Sequence, residues 1–384
     1  MALELAAARV SILHVEEILK QLQDSFSLLT SNGRIALQRH QTLQASLDWS
    51  WRLLSETDQI FLQQLSVFAG GWTLESAHAI CDGDVLDLTS VLVKKSLIMV
   101  DRKSEGGTRY HFHEIVRQYM RERLRESGEE EDIRIRHLQY FLQLSEQAEP
   151  ALRGPTQIEW MSRLHDERDN IRAALEWADK TDVEAGLYLS SRLNVFWEIF
   201  DIREGARWLE KFVQKPESKA YPHARAKALR ALGWFKNWLE RLAEAHSVAQ
   251  EALDLYRSCG DTSGEVDALL LLAVIVHPSE AEEFFRQALT LAQSIGDKWR
   301  TAYALHHWGW DHTARHSYAK KALTLFREVG DLRYMAECMV ELGRVEMLNN
   351  NIEPAQKMLD RAAILYRQLN IKSGMSSILQ GYGR

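Results

Sequence analysis

Three times in this chain of 384 residues an Ala-Leu-x-Leu stretch is followed by Gly-Asp, and the spacing of that pattern limits the fold more than any other feature. The copies are Ala252-Leu253-Asp254-Leu255 with Gly260-Asp261, Ala288-Leu289-Thr290-Leu291 with Gly296-Asp297, and Ala322-Leu323-Thr324-Leu325 with Gly330-Asp331. A degenerate fourth copy, Ala363-Ile364-Leu365-Tyr366, runs out near Asn370. Successive glycines stand 36 and 34 residues apart, and the last interval is 40. Such a period fits a unit of two helices that cannot bury its apolar face alone and stacks on its neighbours. At each joint Gly takes the left-handed conformation that ends one helix, and Asp caps the next. Ala231, Gly233, Ala273, Ala304, Gly309 and Gly343 are the small residues that let helices approach closely.

This is a tetratricopeptide-like pattern, expected to form a right-handed superhelix over residues 216–384. A helical connector with similar pairs precedes it over 129–215. There, 132–149 and 156–180 read as helices, followed by the pair Leu187–Ile199 and Arg203–Val213. Lys215-Pro216-Glu217-Ser218 is the most linker-like spot, and His277-Pro278-Ser279 makes a shortened turn within one repeat. The last residues, Gly381-Tyr382-Gly383-Arg384, fall in what reads as the first helix of a further unit.

Upstream, helices are expected over 2–13, 15–29 and 39–54, making a helical segment over 1–54. Residues 55–128 then show three capped helices, starting after Ser55, Thr73 and Asp84. Two strands, Leu97–Val100 and Thr108–Phe112, flank the turn Ser104-Glu105-Gly106-Gly107. Three helices and a hairpin are the order of a winged helix. His113 and Glu114 stand where the second strand runs into an amphipathic helix. The expected fold is therefore mainly α: a winged-helix domain with a small β-hairpin, then a tetratricopeptide-like α-α superhelix.

Composition excludes several classes. Only 6 prolines and 46% hydrophobic residues favour a helical, soluble chain. A net charge of −7 gives no general attraction to nucleic acid or anionic membrane. Cys81, Cys259 and Cys338 have no metal-binding or redox spacing, so reduced thiols in the cytoplasm are expected. No apolar run spans a membrane, and the first residues, with Glu4 and Arg9, read as an amphipathic helix rather than a leader.

Several stretches carry a family likeness. They are Leu3-Glu4-Leu5-Ala6-Ala7-Ala8-Arg9, Arg39-His40-Gln41-Thr42-Leu43, Leu47-Asp48-Trp49-Ser50, Phe68-Ala69-Gly70-Gly71-Trp72-Thr73-Leu74-Glu75 and Asp169-Asn170-Ile171-Arg172. Together with Lys94-Lys95-Ser96-Leu97 and Glu114-Ile115-Val116-Arg117-Gln118-Tyr119, they resemble bacterial signal-transduction ATPases of the NB-ARC (STAND) type. In that family a P-loop NTPase domain precedes a helical segment, a winged helix and a tetratricopeptide sensor. This sequence has no G-x-x-x-x-G-K-[ST] pattern and no strand ending in paired acids. The resemblance thus implies the C-terminal part of such a protein, with no cofactor of its own and ATP or ADP bound by a separate NTPase domain. In relatives with a Met-His-Asp motif the histidine contacts the β-phosphate of ADP. Phe112-His113-Glu114 stands at that place, so His113 is the candidate phosphate contact if such a domain is supplied.

Other candidates are weighed on their chemistry. Direct DNA binding is disfavoured, because the third helix opens with Asp84 and Asp87 and is basic only at Lys94 and Lys95. Arg117, Arg121 and Arg125, with Glu114, Glu122 and Glu126 beside them, read as a solvated helix face. His306, His307, Asp311, His312 and His316 are dense in histidine, but no cysteine joins them and no metal is expected. First helices of such repeats line a concave surface, which makes Asn237, Tyr303, His307 and Trp310 the candidate partner contacts. No catalytic constellation is recognisable. The favoured function is the regulatory, sensing half of an NB-ARC-type signalling or transcription-regulating protein, with a protein or small ligand in the repeat groove. A free-standing interaction scaffold is the alternative, and a winged-helix DNA-binding regulator the weaker one.

Overall fold

The computed structural model describes residues 47–48, 50–102, 107–308, 315–371, 374 and 378. The helices expected over 2–13 and 15–29, most of 39–54, the hairpin turn and Trp310 lie outside them. The chain divides into two compact units, one of residues up to Val67 with 73–130, the other of Phe68–Trp72 with Glu131 onward.

In the first unit the three expected caps are present. Ser55 accepts from the Asp58 amide before α1 (Glu56–Leu65), and Asp84 accepts from the Asp87 amide before α3 (Val85–Lys94). Thr73 and Ser76 cap each other reciprocally at α2 (Leu74–Ile80). Strands β1 (Met99–Arg102) and β2 (Thr108–His111) pair antiparallel, with Met99 opposite His111 and Arg102 opposite Thr108. The first strand begins two residues later than its apolar run suggests. Ser96 turns left-handed (φ 58°), and the Leu97 amide reaches back to the Leu92 carbonyl at 3.1 Å. Leu97 and Ile98 are thus spent on the helix closure and buried in the core. Helix α4 (Glu114–Ser127) follows, burying Val116, Tyr119, Met120 and Leu124. Tyr119 donates to Asp48 at 2.6 Å, and Arg123 pairs with the same carboxylate at 3.0 Å.

The second unit starts with α5 (Glu130–Ala151), α6 (Gln157–Asp166), α7 (Arg168–Thr181), α8 (Val183–Arg192), α9 (Asn194–Phe200) and α10 (Ile202–Val213). Two stretches expected as continuous helices are broken, at Glu167 and at Leu193. Residues Pro216–Ala220 form a packed 3₁₀ turn with Ser218 fully buried beneath Arg225, despite their linker-like composition. Four antiparallel pairs follow: α11 (Pro222–Trp238) with α12 (Leu242–Cys259), α13 (Thr262–Ile275) with α14 (Pro278–Ser294), α15 (Lys298–Trp308) with α16 (Arg315–Val329), and α17 (Leu332–Leu348) with α18 (Ile352–Gln368).

The Gly-Asp joints work as the sequence requires. Gly260, Gly296 and Gly330 all have positive φ, and each following Asp amide closes onto the carbonyl five residues back, on Tyr256, Ala292 and Phe326. The same aspartates then cap the next helices, accepting from the amides of Gly264, Arg300 and Tyr334 at 2.8–3.1 Å. Asn370 (φ 56°) ends the fourth unit in the same way. One dipeptide therefore closes and opens a helix without a loop, and that fixes the repeat period. Close approach needs glycine at Gly233, where a Cβ would lie 2.5 Å from Leu271. The described part of the chain is thus a winged helix with a two-stranded hairpin, followed by a helical superhelical array. No helix among the described residues is long and apolar enough to cross a membrane.

Candidate binding groove

Three of the four first helices present a stripe of large side chains at i, i+4 and i+8 spacing, which lie on one helix face. On α11 the stripe is Arg230, Trp234 and Trp238, and on α15 it is Trp299, Tyr303 and His307. On α17 it is Arg333, Glu337 and Glu341, flanked by Tyr334 and Arg344. Stacking of the repeats sets these stripes side by side. Trp299 stacks on Tyr303 at 4.8 Å between ring centres, and Tyr303 meets Trp234 at 6.0 Å, His307 at 4.4 Å and Tyr334 at 5.1 Å. Aromatic contacts thus run unbroken from α11 through α15 to α17.

Two connected hollows lie along this face. A small hollow of about 30 Å³, enough for a water or two, is lined by Arg153, Asn194, Glu198, Arg230, Trp299 and Tyr303 among others. An open groove of about 420 Å³ is lined by Trp238, His307, Arg333, Glu337, Arg344 and Tyr366 among others. Glu198, Trp238, Arg333 and Tyr334 line both.

The charges in the groove are paired. Arg333 bonds Glu198 of α9, and its Nε lies 3.2 Å from Glu337. Burial pushes the Glu198 carboxyl above the usual carboxylate range, although Arg333 opposes the shift. Glu337 also meets His306 Nε2 at 3.3 Å, and the other His306 nitrogen lies 3.6 Å from the Cys338 sulfur. Burial alone would favour neutral forms of both, but the partners outweigh it: His306 and Arg333 lower Glu337 to about 2, and Cys338 first, then Glu337, raise His306 to about 10. Burial, with the neighbouring His306 charge, takes His307 down to about 3, although Glu337 opposes the shift.

The sign of the resulting pH dependence is fixed. A raised histidine stabilises fully below its ordinary value of 6.5 and ceases to as pH climbs toward 10. A lowered glutamate stabilises above its ordinary 4.5 and ceases to as pH falls toward 2. Both contributions are complete between about pH 4.5 and 6.5. Urea unfolding should therefore show stability declining from pH 6.5 to 10, with the decline flattened in His306→Gln. An unchanged slope in that variant would contradict the pairing.

The candidate residues fall out unevenly. Tyr303 is buried in the aromatic ladder and lines the smaller hollow, and His307 lines the open groove. Asn237 is half-buried and lines neither, whereas its neighbour Trp238, 39% exposed, lines both. Trp310 lies outside the described residues. His113, in the first unit, is exposed at the N-cap of α4, and its side chain makes no capping hydrogen bond. Glu198, Arg333, Glu337 and Trp238 were not among the candidates. The Trp234/Trp238 spacing could have pointed to Trp238, but nothing in the sequence pairs Glu198 with Arg333. Among the described residues no three His, Cys, Asp or Glu side chains are placed to hold a metal ion.

Comparison with known proteins agrees with the first unit's geometry. Residues 54–125 match the model of the winged helix-turn-helix domain family. The chain carries a winged helix-turn-helix domain. A Mycobacterium tuberculosis protein, provisionally named an HTH-type transcriptional regulator, is 33% identical over 382 residues, covering 93% of this chain and 43% of its own length. The same relationship holds for a Mycobacterium bovis protein of the same designation. The chain therefore spans less than half the length of these curated relatives. Among solved structures, a STAND protein with a tetratricopeptide repeat sensor from Pyrococcus horikoshii aligns with 98% of this chain and 68% of its own, at 18% identity and a TM-score of 0.40.

Proposed function

We propose that this chain is the regulatory, sensing part of a signalling or transcription-regulating protein of the NB-ARC kind, and that the groove along α11, α15 and α17 takes its protein or small-molecule signal. The observation that carries the reading is the groove itself. Three helices and α9 bring aromatic faces and paired charges to a hollow open on one side. Such a lining supplies both contact area and orientation for a ligand. The names of the mycobacterial relatives support a regulatory role. In this reading a bound ligand biases the array between states of different affinity for a separately supplied NTPase domain. His113, exposed at its helix start, is the residue that would meet the nucleotide phosphate.

A thermal-shift screen of amino acids, nucleotides, sugars and short peptides tests the reading. Compounds that raise the melting temperature should lose that effect in Trp238→Ala. They should keep it in Ile364→Ala, whose exposed side chain lies outside both hollows. Stabilisation indifferent to Trp238 would contradict it.

The relatives' designation also favours a second reading, in which the winged helix itself contacts DNA. The exposed side of α3 tests poorly for that role. It offers Leu86, Asp87, Ser90, Val91 and Lys94, while Lys95 is engaged by Asp58 at 3.2 Å. Phosphate neutralisation needs several free cations beside the inserted helix. A mobility-shift assay in low salt should show no retardation of duplex DNA by this chain. Retardation abolished by Lys94→Glu would establish the second reading instead.

A further inference from the structure

The inner face of the array is not empty of chain. The turn between α5 and α6, Leu152-Arg153-Gly154-Pro155-Thr156-Gln157, reaches the start of α17 across more than 170 residues of sequence. The Arg153 guanidinium lies over the Trp299 ring at 4.1 Å from its centre. Gln157 reads the beginning of α17 with both ends of its amide. Its oxygen accepts from the Arg333 backbone amide at 3.1 Å, and its nitrogen faces Asp331 Oδ1 at 3.4 Å while donating to the Leu152 carbonyl at 2.6 Å. Trp299 in turn donates to the other Asp331 oxygen at 2.8 Å. Pro155 sits so close to Gly330 that a Cβ there would lie 2.9 Å from its ring. These are the contacts of a peptide bound to a surface: a cation on an indole, an amide on a backbone N–H, and a proline against a glycine.

We infer that Trp299, Asp331 and the Arg333 backbone amide form a recognition site for an arginine-bearing extended peptide, and that the turn 152–157 occupies it as an intramolecular pseudo-ligand. The inference rests on the proposed sensing role of the array, and its anchors Trp299, Asp331 and Arg333 line the smaller hollow, which shares Trp238 and Arg333 with the open groove. Leu152, Gly154 and Gln157 are buried, Arg153 is half-buried, and Pro155 and Thr156 are exposed, so the turn is anchored at three positions and open to solvent at two. A tethered turn also competes at high effective concentration, which keeps outside peptides of similar chemistry off the site until the turn releases.

The test uses the full chain and an acetylated, amidated, fluorescently labelled peptide of residues 151–158. Anisotropy should report at least tenfold tighter binding to the variant Arg153→Ala/Gln157→Ala than to the native chain. The gain should vanish when the peptide's arginine is replaced by alanine. Equal binding to both chains, or none to a variant whose circular dichroism is native, overturns the inference.

Hydrogen exchange on the native chain guards against a variant that fails to fold. The amides of Arg153, Gly154, Gln157 and Arg333 should exchange together, at least tenfold faster than amides at the centres of α5 and α17. Exchange as slow as those centres would make the turn a permanent part of the core and defeat the inference. Stabilisation indifferent to Trp238→Ala is the failure of the proposed function, whereas equal peptide binding to the native chain and to Arg153→Ala/Gln157→Ala is the failure of this inference, so the two are told apart.

Discussion

Replacing Arg333 by Met is expected to destabilise the second unit by about 3–5 kcal/mol at neutral pH, the usual cost of removing one partner from a buried ion pair. Arg333 holds Glu198 of α9 and Glu337 of its own helix, and its guanidinium is itself buried. Met fills most of the same volume, so the loss comes from charge rather than from a cavity. Glu198 already titrates above the usual range because of its burial, and without Arg333 it should rise further. The penalty should therefore shrink as pH falls and Glu198 takes up a proton. It should also shrink in the double variant with Glu198→Gln, which removes the stranded charge. Urea unfolding at pH 7 and pH 4 checks both. A penalty independent of pH and of Glu198 would mean that the pair does not govern this joint.

The second large effect lies at Asn170 in α7, fully buried beside the segment Phe68–Trp72 within the second unit. Its oxygen accepts from the amides of Ala69 at 2.7 Å and Gly70 at 3.3 Å. Its nitrogen donates to the Gly71 carbonyl at 2.8 Å and to Glu167 at 2.6 Å. One amide thus satisfies three backbone groups and a carboxylate. Leaving such groups unpaired costs about 1–3 kcal/mol each where water cannot replace the partner. Partial access of water at the half-buried Ala69 and Gly70 puts Asn170→Leu at about 3 kcal/mol in total.

Asn170→Asp separates this account from simple loss of packing. Aspartate keeps the acceptor for Ala69 and Gly70 but loses the donor to Gly71 and sets a second carboxylate against Glu167. Its deficit should be large at pH 7 and fall in acid, whereas that of Asn170→Leu should not. Equal pH profiles for the two variants would count against the hydrogen-bond account.

These two sites also show what could be read from residues alone. The Gly-Asp joints were legible because every part of the device is local. A left-handed residue, a back-reaching amide and a capping carboxylate lie within six positions of one another, as at Gly330, Asp331 and Tyr334. The caps Ser55, Thr73 and Asp84 were legible for the same reason. The late start of β1 was not, because Leu97 and Ile98 satisfy an apolar strand pattern and a helix closure equally well. The candidate contacts stand on the faces of first helices, where one residue is a rotation of about 100°. Asn237 and Trp238 differ by that one step, and only Trp238 reaches the hollows.

The contacts that shape the groove most are long-range and were invisible. Glu198 meets Arg333 across 135 residues, and Gln157 meets Arg333 across 176. Asn170 meets Ala69 across 101. In that last case both stretches, Phe68-Ala69-Gly70-Gly71-Trp72 and Asp169-Asn170-Ile171-Arg172, belong to the family likeness, and nothing in the residues shows that they touch. Their physical meaning is a buried amide serving a tight glycine-rich turn.

The central claim is that recognition belongs to the inner face of the repeats and not to the exposed side of the winged helix. Hydrogen–deuterium exchange of the full chain, with and without a compound that stabilises it, tests this most directly. Protection is expected over 230–238, 303–308 and 333–344, with residues 85–102 unchanged. Protection over 85–102 with none along α11, α15 and α17 would contradict it.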